Sequence, residues 1–166
     1  IDKKRFWRIP VMDGEFMCEE TTARVPAIGG GNFILLSKNR ASCLSACEIA
    51  VNVMSEIGNI ITPFPGGVVR SGSKVGSKYK ALIASTNDAF CPSLSGITGS
   101  KLHKSVNCVM EIVINGLTKE DIDKGIRESL VAISKSKYKK DIVSVSAGNY
   151  GGKLGPHHFH LRKILK

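Results

Sequence analysis

Two stretches of this chain pass from an unbroken apolar run to a helical period and back to an apolar run. That double alternation leaves few folds open to it. In the first stretch, residues 32–36 read as a short buried strand behind Gly29, Gly30 and Gly31. Residues 41–57 then carry Leu44, Cys47, Val51 and Met54 at three- and four-residue steps, a helix with Gly58 where it would stop. Ile60, Ile61 and Thr62 form a second strand, closed by Pro63 and Pro65. In the other stretch, residues 108–117 are apolar and β-branched, and Thr118 with Asp121 has the pattern of a capping box. Ile122, Ile126, Leu130 and Ile133 line one face of the helix that follows. Lys135, Lys137, Lys139 and Lys140 gather at its end, where cations suit the helix dipole, and residues 142–147 alternate as a last strand. The order β-α-β, long insertion, β-α-β predicts an α+β fold on the ferredoxin-like, split βαβ plan. Its sheet is antiparallel, with both helices on one face.

A chain of 166 residues suits one domain and is long enough to bury a proper core. With 42% hydrophobic and 23% charged residues it reads as folded, and no apolar run reaches the roughly 18 residues of a membrane span. Residues 1–166 are therefore expected to form a single lobe, with residues 66–106 as a long functional insertion. The basic start is followed by no apolar leader segment, so no signal peptide is expected, and its first residue, Ile1, points to a processed or truncated piece. The five cysteines are odd in number and contain no Cys-x-x-Cys pair, which signals neither a disulfide framework nor a zinc ribbon. Cys43 and Cys47 are expected to be small buried hydrophobes, and the usage suits a reducing, cytoplasmic setting. A net charge of +10 favours anionic partners.

Two features could carry chemistry. Gly66, Gly67, Gly72 and Gly76 are interleaved with Arg70, Ser71, Ser73, Lys74, Ser77 and Lys78, which offer hydroxyls, cations and free backbone N–H groups to phosphate or carboxylate oxygens. The segment is not a Walker loop, because Ser73 stands where Lys is required. A plain surface loop is the competing reading, although connections of about 40 residues inside one domain are usually functional. The other feature is Glu111, mid-strand, with Val109 and Val113 on its own face. Such a carboxylate must be paired or hold its proton to higher pH, either of which suits general acid–base work; a salt bridge or a sheet edge facing water is the alternative.

Other clusters are less specific. Residues 85–88 and 146–153 combine hydrogen-bonding side chains with glycine or precede Cys91-Pro92, and each is also ordinary turn chemistry. His157, His158 and His160 have no neighbouring Asp or Glu to complete a ligand set, so no metal is expected. The basic and aromatic start, residues 3–8, reads equally as a nucleic-acid surface or as a solvated edge.

Several motifs together resemble a known family. They are Pro63-Phe64-Pro65-Gly66-Gly67, residues 70–79, Ala84-Ser85-Thr86-Asn87-Asp88-Ala89-Phe90-Cys91-Pro92, Glu111-Ile112-Val113-Ile114-Asn115-Gly116-Leu117 and residues 146–155. Weaker matches at Trp7-Arg8-Ile9-Pro10, Gly14-Glu15-Phe16 and Gly30-Gly31-Asn32-Phe33 extend the likeness to the start. The chain is similar to the formylmethanofuran:tetrahydromethanopterin formyltransferases, and is read as their C-terminal, distal lobe. The resemblance implies formyl transfer from N-formylmethanofuran to N5 of tetrahydromethanopterin in one-carbon metabolism. It implies these two coenzymes as substrates, no tightly bound cofactor, two ferredoxin-like lobes per subunit, and a homotetramer. It puts the key carboxylate on Glu111 and the substrate-binding donors on Arg70, Ser71, Ser73, Lys74, Ser77, Lys78, Ser85 and Asn87. Two other classes stay in view: a non-catalytic formyltransferase-like subunit of a larger complex, and a basic nucleic-acid-binding ferredoxin-like module. The strands lack the aromatic run of an RNA-recognition motif, which counts against the last.

Overall fold

In the computed structural model, which describes residues 4–70, 87–97, 99–149 and 155–166, the chain opens on a hairpin that the sequence reading did not separate from the basic start. Strands β1 (Phe6–Val11) and β2 (Gly14–Glu19) pair antiparallel, with Trp7 opposite Cys18 and Ile9 opposite Phe16. The signal was present: Asp13-Gly14 between two apolar runs is a hairpin turn pattern. Because side chains alternate along a strand, Trp7, Ile9, Val11, Phe16 and Cys18 share one face of the ribbon. Arg8 pairs with Glu15 on the other face, Lys4 with Glu19 at 2.9 Å, and Arg5 with Glu20 at 2.7 Å. Of the cations that suggested a nucleic-acid surface, Lys4, Arg5 and Arg8 are thus each paired within the hairpin, and Lys3 lies outside the described residues.

The two predicted alternations form one four-stranded sheet and two helices. Strand β3 (Ile28–Ser37) leads to α1 (Arg40–Ser55) and the two-residue β4 (Ile60–Ile61). After the long connection, β5 (Cys108–Gly116) leads to α2 (Lys119–Lys135) and β6 (Ile142–Ser146), and a single turn, α3 (Leu161–Ile164), closes the chain. The sheet order is β4-β5-β3-β6, and every neighbouring pair is antiparallel. This is a mixed fold of an antiparallel sheet and helices.

Local chemistry sets the element ends. Asn39 caps α1 by accepting from the Ser42 N–H at 2.8 Å, and Thr118 with Asp121 forms the predicted capping box of α2. The left-handed residue after α1 is Asn59 (φ 67), not Gly58. The glycines read as preceding β3 lie within it: Gly30 (φ 79) sits where the register with β5 shifts between Ile28 and Gly31. Lys137, Lys139 and Lys140 belong to a separate turn, Lys137–Asp141, because Ser136 is extended and stops α2.

The core follows the period of two. Phe33, Leu35, Met110, Ile112 and Ile114 point to one side of the sheet, against Cys43, Ala46, Cys47 and Ala50 of α1 and Ile122, Ile126 and Ile133 of α2. Both helices therefore cover the same face. Burying each large apolar side chain there stabilises by about 1.5–3 kcal/mol. Cys43 and Cys47 are completely buried, as expected. The hydrogen bond with Cys47, and then burial, push the Cys43 thiol up; burial pushes Cys108 up to about 11, which leaves both unreactive. On the opposite side of the sheet, Ile34, Leu36 and Val106 make a smaller cluster with Phe90, Leu102, Val109 and Val143. Among the described residues no helix is long and apolar enough to cross a membrane.

Candidate functional site

Glu111 reaches the less-covered side of the sheet by alternation: Met110, Ile112 and Ile114 take the helix side, so Val109, Glu111 and Val113 face away. Its register partner on β3 is Ile34, and Asn32, opposite Val113, lies one step along the same face. Asn32 Nδ2 donates to Glu111 Oε1, and Asn87 Nδ2 donates to Oε2 at 3.1 Å. All three side chains are buried, with Glu111 5% exposed. Burial pushes the Glu111 carboxyl above the ordinary carboxylate range, while the hydrogen bonds from Asn32 and Asn87 pull it partly back.

Glu111 is also no edge position. Its N–H and C=O both pair with Val69 at 2.8 Å, on the side of β5 that β4 occupies at Asn115 and Gly116, while β3 flanks the other side. The sheet-edge alternative is thereby corrected, and no salt bridge to Glu111 occurs among the described residues. The insertion thus leaves the sheet at Val69, paired with the backbone of Glu111, and Asn87 is bonded to its carboxylate.

Two hollows adjoin the pair. Glu111, Asn87, Phe90 and Cys91 line a cavity of about 130 Å³. Gly29, Gly30, Asn32, Gly148, Asn149 and His157 border another of about 290 Å³. Asn32 connects them, because its Oδ1 accepts from the Gly148 N–H at 2.7 Å while its Nδ2 holds Glu111. Asn149 pins the returning chain, donating to the Phe159 carbonyl at 3.0 Å and accepting from its N–H at 2.8 Å. A carboxyl sheltered in this way, beside hollows rimmed by glycine backbone, can exchange a proton with a bound ligand and sits near groups able to hold an anionic oxygen. Among the described residues no three His, Cys, Asp or Glu side chains converge as metal ligands would; His158 and His160 stack at 6.2 Å between ring centres.

Of the substrate-binding candidates, Arg70 is exposed directly after Val69, and Asn87 is committed to the Glu111 carboxylate. Ser71, Ser73, Lys74, Ser77, Lys78 and Ser85 lie outside the described residues. Gly67 (φ 72) serves packing, since a Cβ there would come within 2.6 Å of Val51 on α1. Sequence reasoning missed the part of Asn32, and it placed Gly148 within the cluster 146–153 without finding its contact. A polar residue heading the apolar run 33–36 was the available signal for Asn32; for Gly148 the glycine-and-donor pattern at 146–153 marked the place but not the backbone N–H that it contributes.

Residues 14–164 match the family model "FTR, proximal lobe". A formylmethanofuran–tetrahydromethanopterin formyltransferase of Methylobacillus flagellatus is 60% identical over 162 residues, covering 98% of this chain and 54% of the relative. The crystal structure of the formyltransferase/hydrolase complex from Methylorubrum extorquens with methylofuran is similar at a TM-score of 0.76 and 49% identity, over 98% of this chain and 53% of that one. The formyltransferase of Methanosarcina barkeri is similar at a TM-score of 0.75 and 40% identity, over 99% of this chain and 55% of that one. The chain spans about half the length of the curated relatives it matches. The matched lobe is the proximal one, which corrects the distal assignment: proximal and distal state how lobes lie relative to one another, and residues within one lobe do not record that.

Proposed function

The chain belongs to the formylmethanofuran–tetrahydromethanopterin formyltransferase family, and from that premise we propose that it is the proximal-lobe part of an enzyme that moves a formyl group from formylmethanofuran to N5 of tetrahydromethanopterin. The observation that carries this reading is the Glu111 carboxyl, 5% exposed, with its two oxygens held by neutral amides and no compensating cation among the described residues. In the transfer, the N5 nitrogen attacks the formyl carbon and a tetrahedral oxyanion forms. The bond from that carbon to the methanofuran nitrogen then breaks. The proton lost by N5 must reach the departing nitrogen, and Glu111 takes it and hands it on. Backbone N–H groups hold the oxyanion, and positioning of two bound substrates supplies much of the remaining acceleration. Written this way, the reaction uses formylmethanofuran and tetrahydromethanopterin as substrates, releases methanofuran, and needs no tightly bound cofactor.

Arg70, Ser71, Ser73, Lys74, Ser77, Lys78, Ser85 and Asn87 are proposed as the surrounding donors on the family resemblance. A net charge of +10 suits the anionic tails of both coenzymes. The sheet order β4-β5-β3-β6 supports reading residues 1–166 as one ferredoxin-like lobe with an insertion at 66–106. Cytoplasmic placement agrees with five free thiols. Assembly with further copies is supported by the β1–β2 ribbon, whose apolar face is open, with Trp7 58% and Phe16 56% exposed. A two-stranded ribbon is marginal in water unless something covers it. The likeness to a transferase/hydrolase complex favours one second reading, a place within a hetero-oligomer of that kind.

The test is formyl transfer with Glu111→Gln, alongside calorimetric binding of each coenzyme. Turnover should fall by about 10²–10⁴-fold with binding within a few-fold of the parent. Undiminished turnover would remove Glu111 from the mechanism.

A further inference from the structure

We propose that Asn32 is a positioning residue for Glu111, fixing which lone pairs of its carboxyl stay open to a proton; this rests on Glu111 being the proton carrier of the transfer. Asn32 is 5% exposed at the inner end of an apolar run, where an amide is tolerated only if its polar atoms are partnered. Its orientation is settled by the network. The Gly148 N–H can only donate, so the atom that meets it at 2.7 Å is Oδ1, and Nδ2 is left facing Glu111. Asn87 presents a second Nδ2 to the other oxygen at 3.1 Å. An amide nitrogen cannot accept. A proton on Glu111 therefore has to occupy a direction that neither amide fills, on a side chain that lines the 130 Å³ cavity.

The same contact sets how readily the proton leaves. A donor on the carboxylate favours the ionised form against the cost of burial, so Asn32 keeps Glu111 available as a base. Few other charges compete for this task among the described residues. Strands β3 and β6 carry no ionisable side chain, Val69 is followed by the exposed Arg70, and the segment above the carboxyl carries Asp88 and Cys91. Asn32 also ties the carboxyl to Gly148, where β6 ends and the larger hollow begins, so one amide aligns the proton carrier with that rim.

Asn32→Leu is close to isosteric and removes the donor to Glu111 without adding a charge beside it. A carboxyl-detected NMR titration of the 166-residue chain reads the outcome without any assay of activity. The Glu111 midpoint should rise by about one to two pH units in Asn32→Leu, and in the same direction in Asn32→Ser. In steady-state transfer, kcat near neutrality should drop at least about tenfold with KM little changed, and activity should recover toward higher pH. A merely structural Asn32 would lower Tm and leave the midpoint where it was, and that result in either folded variant overturns the proposal. If both variants unfold, the wild-type chain decides: the Asn32 side-chain NH₂ resonances should titrate with the Glu111 midpoint, and their indifference to it counts equally against the idea. Failure of the transfer mechanism is distinct, since it appears as an active Glu111→Gln and leaves these titrations unaffected.

Discussion

Asn87 and Glu111 stand 24 residues apart in sequence and 3.1 Å apart in space, the loop amide donating to a strand carboxylate. Val69 pairs with the backbone of the same glutamate, so Val69 and Asn87 both meet Glu111, one at its backbone and one at its carboxylate. A connection held in this manner at the proposed proton carrier gives the first prediction.

Asn87→Ala removes a donor that pulls the Glu111 carboxyl down, so its midpoint should move further up. The basic form then appears at higher pH, and the rising limb of kcat against pH shifts to the alkaline side. A pH–rate profile that superimposes on the parent's would contradict the pairing.

Stability should depend on pH in a direction set by the same group. The folded carboxyl keeps its proton to higher pH than the unfolded one, so between the two midpoints the folded state binds more protons. Stability therefore declines as pH rises from the ordinary carboxylate range through the raised value. Glu111→Gln does not titrate, so the denaturant stability of wild type minus that of the variant should fall across this window and level off above it. Parallel curves would mean that the carboxyl is not shifted.

Gly116 marks a contact with no spare room. A Cβ there would lie 2.7 Å from Ile122 Cγ1 and 3.2 Å from Ile60 Cγ2. Gly116→Ala should cost about 1–3 kcal/mol through overpacking, and Ile122→Ala should cost less in the Gly116→Ala chain than in the parent. Additive losses in a thermal-melt double-mutant cycle would argue that the two positions do not meet.

The capping box of α2 makes a smaller claim. Thr118→Ala leaves the Asp121 N–H without its side-chain acceptor and should lower stability by about 1 kcal/mol. Thr118→Ser should restore most of it.

Replacing Trp7 and Phe16 by Ser leaves the Arg8–Glu15 face of the hairpin intact while removing much of its apolar one. Light scattering should then show a lower assembled mass with unchanged far-UV circular dichroism. An unchanged mass would leave the ribbon without that role.

Much of this protein was legible as one-dimensional pattern. The runs of two and of three-and-four placed β3, α1, β5, α2 and β6 to within a few residues, because periodicity is imposed by burial on one face and needs no knowledge of the partner. The isolation of Glu111 between Val109 and Val113 likewise announced a carboxyl in apolar surroundings. Other features were decided only by the folded chain. Which amides meet that carboxyl depends on register: Asn32 arrives because Ile34 lies opposite Glu111, and a slip of one residue would turn it to the helix side. Gly148, inside the cluster read at 146–153, takes part through a backbone N–H that every residue but proline possesses, so its letter does not say which acceptor it meets. The β1–β2 hairpin had its turn signal in Asp13-Gly14, but the pairing of Lys4, Arg5 and Arg8 with Glu19, Glu20 and Glu15, residues up to 15 apart, is a contact that composition cannot express. Local preference writes the elements; the juxtaposition of distant polar atoms, and with it the proton chemistry, exists only after the sheet has closed.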